Sequence, residues 1–415
     1  MYFKTVASMV ETKPLKNTKV FEPIQVGLHK LSNRIVHAPA TRLRATANHA
    51  PSDLTYKYCD DRTKFAGSLM ITEDTMVSPR TGIFNGFPEI FSKESVEAWK
   101  KVSDRIHANG SFVSMQLWPA GRTAQPGAMK EAGYPLIAPS AIYVSEESKK
   151  AAEAAGNPIH ELSTQEIEDL VQNDFVQAAR NAIAAGMDYV ELHGAHGCLV
   201  DTFFQASTNK RSDKYGGSIE NRSRFALEII DRLIDEIGAE KVAVRISPWA
   251  KFQGMNAEES GVSPVAQFGH FLGELENRAR AGKRIAYVSV VEPRINGIME
   301  IAPGDNYGDN SFVRSVWKGI VIKAGNYTYD APEFKTLLQD VDDRKTLVAF
   351  GRYFTSNPDL VQRLHDGLDL APYQRDLFYT TNNWGYNTFN KWGETVTFDE
   401  SEETKRFPGP IEVKE

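Results

Sequence analysis

Residues Met187–Arg224 read MDYVELHGAHGCLVDTFFQASTNKRSDKYGGSIENRSR. The stretch opens on a short run, Asp188–Leu192, with the look of a buried strand. It then breaks into a polar cluster, His193, His196 and Cys198, and turns through Tyr215-Gly216-Gly217 into a long helical segment. Polar residues placed just past a buried strand are where barrels of alternating strands and helices collect their chemistry. Side chains at the carboxyl ends of all the strands there converge on one pocket.

Seven further runs of the same kind lie on either side. They are Arg34–Ala38, Ser68–Thr72, Phe112–Leu117, Val242–Ile246, Ala286–Val291, Gly319–Lys323 and Leu347–Phe350. Runs apolar on both faces suit parallel strands covered by helices, and eight of them predict a closed (β/α)8 barrel of the TIM type, in the α/β class. The intervening helices carry their own signals. Ser163-Thr164-Gln165-Glu166 is a capping-box start for a segment with apolar residues at Ile167, Leu170, Val171 and Phe175, closed by Gly186. Phe225, Ile229, Ile230, Leu233 and Ile237 form a second stripe ending at Gly238.

The chain reads as a single domain over residues 1–415 with its barrel core at about 31–370. About 70 residues separate the third and fourth strands. The first part of that gap, Pro119–Glu161, holds four Gly and five Pro and has weak periodicity, so it is expected to run over the barrel mouth, with a helix at Glu146–Ala155. Past Pro358 the sequence predicts one more helix, Asp359–Asp366, and then a C-terminal extension, 371–415, with an aromatic stretch at Tyr373–Trp384.

A net charge of −6 gives no basic field for nucleic acid or an anionic membrane. No apolar run approaches the ~20 residues that span a bilayer, and the first residues lack the apolar segment of a secretory signal. With only Cys59 and Cys198 there is no disulfide framework, so a cytoplasmic protein is expected; its oligomeric state, monomer or homodimer, is not legible in the sequence.

Sorted by strand end, the polar residues form a ring. Thr41 follows the first strand, Gln116 lies in the third, His193 and His196 follow the fourth, and Arg245 lies in the fifth. Gly325-Asn326 and Gly351-Arg352 follow the seventh and eighth, where such barrels bind phosphate on close backbone and a cationic fork. Arg245 is costly to bury alone. Two readings stand side by side: a cation at the pyrimidine edge of a flavin, or an ion pair with Glu191 or Glu292. His193, His196 and Cys198 are too closely spaced for a zinc site, so no metal is expected.

These residues sit in longer motifs: APATRLRA (Ala38–Ala45), QLW (Gln116–Trp118), STNKRSDKYGGSIENRSRF (Ser207–Phe225), VAVRISP (Val242–Pro248), VEPR (Val291–Arg294), KAGN (Lys323–Asn326), FGRYFTSNPDL (Phe350–Leu360) and LFY (Leu377–Tyr379). Over nearly its full length the chain resembles the fungal branch of the Old Yellow Enzyme family of ene-reductases. The resemblance implies non-covalent FMN, NADPH as reductant, ping-pong kinetics and reduction of an activated alkene such as an enone. It puts Pro39, Ala40, Thr41, Asp74, Gln116 and Arg245 around the flavin ring and Gly325, Asn326, Gly351 and Arg352 around its phosphate. Trp118, Met299, Phe378 and Tyr379 would bound the substrate space, and His193 and His196 would grip the substrate carbonyl while charge develops on it.

Three positions depart from the family pattern. Cys198 stands where the family's proton-donating tyrosine is usual, which leaves water, the thiol itself or an inert filler as readings, with a nucleophilic thiolate as a fourth. His196 replaces a common asparagine. Asp74 takes the place of a glycine near the flavin edge, where a carboxylate could repel the reduced anion or displace a ring contact, with no functional account for it in the sequence. Besides enone reduction, the same residues admit an FMN-containing isomerase without net reduction and a flavin protein that holds phenols or steroids with little turnover.

Overall fold

The computed structural model describes residues 8–256, 260–297, 299–301 and 308–412. Eight strands pair in parallel and close into a ring: β1 (Ile35–His37), β2 (Leu69–Ile71), β3 (Phe112–Trp118), β4 (Tyr189–Gly194), β5 (Val242–Ile246), β6 (Tyr287–Val291), β7 (Val321–Ala324) and β8 (Thr346–Phe350). Val348–Phe350 of β8 returns to Ile35–His37 of β1 and completes the circle. Every expected run falls on a barrel strand, within a few residues at its ends.

Several short pieces of strand were not anticipated, and two of them bear on the barrel itself. Ile24–Val26 and His29–Leu31 form an antiparallel hairpin whose Val26 and Leu31 join the residues filling the barrel interior. The hydroxyl of Tyr189 donates to the carbonyl of Val26 at 2.8 Å, tying this floor to β4. The second is Thr75–Met76, which pairs with Leu117 and Trp118 beyond the end of β2. Ile71 faces Ser114 and Thr75 faces Leu117, four steps on one strand against three on the other. One extra residue is therefore inserted across Thr72–Asp74, a bulge of the kind that re-aims side chains at barrel rims.

The outer helices form as their signals dictate. Ser163 and Glu166 make both bonds of the capping box, and the helical segment from Thr164 to Ala184, widened by a π-turn over Leu170–Asp174, stops before Gly186 at φ +81°. Ile219–Ile237 ends at Gly238, and Leu360–Asp366 forms as expected. In the excursion, Glu146–Ala154 is helical, and a short parallel pair, Leu136–Ala138 with Ile159–Glu161, braces it. Three-residue strands carry too few residues to show a period. Among the described residues no helix is long and apolar enough to cross a membrane.

The C-terminal extension is fastened to the mouth by arginines of the first βα loop. Arg42 Nη2 donates to the Gly385 carbonyl at 2.7 Å, and Arg44 donates to the carbonyls of Phe378 at 2.7 Å and Asn382 at 3.0 Å. Both guanidinium groups lie over the ring of Tyr386, which stacks on Tyr58 at 4.5 Å. This clamp is what brings Phe378 and Tyr379 to the barrel.

Candidate active site

The strand ends open into a cleft with about 960 Å³ of empty space, open solvent included. Pro39, Ala40 and Thr41 form one wall, and Gly325, Asn326, Gly351 and Arg352 form another. Arg245 and His196 reach it from β5 and the turn after β4, and Phe378 and Tyr379 from the extension. Other lining residues escaped the sequence reading, among them Ile295, Gly297, Tyr327, Thr328 and Arg375. Ile295 lies in a two-residue strand and Arg375 in a single 3-10 turn, elements too short to announce themselves in the sequence.

The two imidazoles owe their placement to a tight turn. His196 and Gly197 both take positive φ, +55° and +77°, so the chain doubles back and sets the rings of His193 and His196 6.1 Å apart. A histidine held in this sparsely populated region marks a conformation imposed by its surroundings, here with its backbone N–H donating to Ser247 Oγ at 2.9 Å. The Ala195 N–H donates to Nδ1 of His193 at 3.4 Å, so the ring proton of neutral His193 belongs on Nε2. Burial and the nearby Arg245 charge hold His193 down to about 4, and the same causes keep His196 well below the ordinary imidazole value. Both rings are neutral donors at pH 7 rather than cations.

Below them lies a partly satisfied polar layer. Gln116, fully buried, donates from Nε2 to Glu191 Oε1 at 2.6 Å, and burial pushes the Glu191 carboxyl up to about 7. Glu292 lies 3.7 Å from Lys323 and 3.7 Å from Arg294, so among the described residues neither candidate carboxylate is tied to Arg245 by an ion pair. Arg245 Nε, Gln116 Oε1 and His196 Nδ1 are left buried without a hydrogen-bond partner. Unpaired buried groups of this kind cost about 1–3 kcal/mol each, and here a donor and an acceptor are left open together, Arg245 lining the cleft and Gln116, like His193, buried behind its lining residues. That is the pairing a flavin's pyrimidine edge, with its carbonyls and N–H, would complete. On the phosphate side Asn326 sits at φ +48°, and a Cβ on Gly325 would fall 2.5 Å from that of Glu292. The residues present fit FMN.

The remaining sequence candidates lie elsewhere. Trp118 stacks on Phe87 at 4.4 Å and donates its indole N–H to Cys198 Sγ at 3.1 Å. Cys198 is 3% exposed in an apolar cluster with Met76, Phe87 and Trp118, and burial pushes its thiol up to about 12. Neither residue lines the cleft. Met299 is 59% exposed and not among the lining residues, and its neighbour Ile298 falls outside the described residues. Asp74 accepts a hydrogen bond from the Thr41 hydroxyl at 2.8 Å, and its other oxygen is 3.6 Å from His193 Nε2.

Residues 19–371 match the model of the NADH:flavin oxidoreductase / NADH oxidase family. The chain is 47% identical over 385 residues to a probable NADPH dehydrogenase of Candida albicans, covering 92% of this chain and 93% of that one. It is 40% identical over 391 residues to enoate reductase 1 of Kluyveromyces lactis, covering 93% and 97%. Among solved structures it superposes on Old Yellow Enzyme from Pichia sp. AKU4542 with a TM-score of 0.90 at 46% identity, covering 96% of this chain and 100% of that one. With a closed barrel, a mouth that fits FMN and relatives of this length, the chain belongs to the Old Yellow Enzyme family and is an FMN- and NADPH-dependent oxidoreductase.

Proposed function

We propose that the protein reduces the activated C=C bond of α,β-unsaturated carbonyl compounds. The observation that carries this reading is the pair of neutral imidazoles at the end of β4, their rings 6.1 Å apart, with the proton of His193 on Nε2. FMN, when bound, supplies hydride drawn from NADPH.

The chain's own residues do the rest. Gln116 and Arg245 hold the ring edge of the cofactor, and Gly325, Asn326, Gly351 and Arg352 hold its phosphate. Pro39, Ala40 and Thr41 bound one side of it. His193 and His196 donate to the substrate carbonyl, which polarises the conjugated alkene toward attack at the β-carbon and stabilises the enolate oxygen as charge arrives there. Such donors are each worth about 10²–10³ in rate when preorganised. Phe378 and Tyr379, held by the Arg42 and Arg44 clamp, cover the substrate. The α-carbon takes its proton from water, because the thiol of Cys198 lies outside the cleft and keeps its own proton up to about 12.

Anaerobic addition of NADPH to the holoprotein should bleach the flavin, and cyclohexenone should restore its colour with formation of cyclohexanone. Bleaching that no enone in a panel reverses would overturn the reading. The buried position of Cys198 also favours a second one, an FMN-containing isomerase without net reduction, since no acid replaces the missing tyrosine at that position. That enzyme would convert substrate without stoichiometric loss of NADPH.

A further inference from the structure

The bulge at Thr72–Asp74 sends two adjacent carboxyl groups to different places. Glu73 turns inward, where its Oε2 accepts the backbone N–H of Arg42 at 2.9 Å and burial pushes it up to about 7. Asp74 does not itself line the cleft but stands beside Thr41 of its wall, with its side chain 19% exposed. There it takes the Thr41 hydroxyl at 2.8 Å. A hydroxyl has one proton, and with that proton on Asp74 the oxygen of Thr41 has only lone pairs to offer its other neighbours.

We propose that Asp74 is an anionic tuner of the bound flavin: by drawing off the Thr41 proton and standing beside His193, it lowers the reduction potential of FMN and selects uncharged carbonyl ligands over phenolates. The inference rests on the proposed placing of the flavin against Thr41 and Arg245. Reduction adds electron density to the ring, and a fixed like charge in the same mouth opposes it. A phenolate gripped by the two imidazoles meets the same charge.

The cation that shares the field of Asp74 is Arg245, and among the described residues no ion pair joins the two. At 3.6 Å the contact with His193 Nε2 is too long for a hydrogen bond, and the ring is neutral at pH 7 because burial and Arg245 hold it down to about 4. The field of Asp74 reaches across the mouth. After burial, it is among the influences that raise the Cys198 thiol and the Tyr379 phenol, and it opposes the burial that lowers Arg245 and His193. These groups surround the cleft or sit just behind it, which is the reach a tuning charge requires.

The test uses FMN-loaded wild type, Asp74→Asn and Asp74→Gly. The asparagine keeps the size of the side chain and an acceptor for Thr41 but removes the charge. The midpoint potential, read by equilibration with a reference dye, should rise in both variants. Binding of 4-nitrophenol, ionised at the assay pH and followed by its long-wavelength absorbance with oxidised flavin, should tighten about tenfold or more, while that of uncharged benzamide should change by less than about twofold. An unchanged potential in both variants at full FMN occupancy overturns the proposal, and a raised potential without tighter phenolate binding overturns its selectivity half. Wild type that takes up no FMN would bring down the underlying flavin placement instead. That result appears in the visible spectrum before any potential is measured.

Discussion

The floor and the mouth of this barrel are built from the same strands yet treat buried polar atoms in opposite ways. Along β4 the inward-facing residues are Tyr189, Glu191 and His193, from bottom to top. Tyr189 is satisfied by Val26, and two strands away the Tyr287 hydroxyl bonds Ser114 Oγ at 2.8 Å. Glu191 has one oxygen bonded to Gln116 and one unpaired. At the level above, Arg245 Nε and His196 Nδ1 have no partner. β5 repeats the gradient, with Ala243 in the apolar floor and Arg245 at the rim. Arg34 Nε and Nη1 are unpaired at the floor as well, but the unpaired Arg245 and His196 border an open cleft, which is where a ligand can complete them.

If that contrast is right, removing polar groups at the mouth should strike binding and leave the fold standing, whereas changes at the floor should do the reverse. The largest effect is expected for Arg245→Met. Loss of one partner from a desolvated charge-assisted contact costs about 2–5 kcal/mol, so FMN affinity should fall by roughly 30-fold to several thousand-fold. The apoprotein should melt no lower than wild type, because a half-buried cation without a partner at Nε is removed. Fluorescence titration with FMN and thermal melting of the apoprotein measure the two halves. A lowered apoprotein melting temperature with FMN affinity intact would reverse the contrast.

Next in size is His193→Ala, with a loss of about 10²–10³ in the oxidation of the reduced enzyme by cyclohexenone. Reduction by NADPH, followed separately in a stopped-flow instrument, tells whether the loss belongs to the carbonyl step. Equal losses in both half-reactions would deny His193 a specific role there. The floor supplies the counterpart in Gly27→Val. Gly27 has φ +47°, and a Cβ there would stand 2.2 Å from the Glu240 carbonyl oxygen. Left-handed strain and overpacking together should cost about 2–4 kcal/mol of stability, read in urea, while FMN stoichiometry of the folded fraction stays at wild type. Loss of flavin from folded Gly27→Val would show the two ends to be coupled.

The same contrast explains what could be read from sequence. The strands were legible because each is apolar on both faces, and the ring residues because they follow strand ends in order. The hairpin at Ile24–Leu31 was not, since three-residue strands show no period, and neither was the bulge at Thr72–Asp74, which exists only as a mismatch between β2 and β3. Asp74 could thus be singled out as unusual but given no role. Trp118 and Cys198 show the limit from the other side. A motif fixes their place along the chain, but the direction of each side chain is set by Phe87 and Met76, which belong to a distant loop and the added strand.

Cys198 also supplies the smallest effect and the finest test of where the mouth ends. Its thiol accepts the Trp118 N–H, is buried, and keeps its proton up to about 12, so at pH 8 roughly one molecule in ten thousand carries the thiolate. Cys59, the other cysteine, is buried and raised to about 12 as well. A maleimide or disulfide reagent should therefore label the native protein very slowly and react with both thiols only on unfolding. Cys198→Ser retains an acceptor for the indole and should hold enone turnover within about twofold of wild type, because in the proposed reaction the proton for the α-carbon comes from water. Rapid labelling of native Cys198, or a tenfold loss of turnover in the serine variant with FMN reduction unchanged, would move this residue from the apolar layer behind the mouth into the mouth itself.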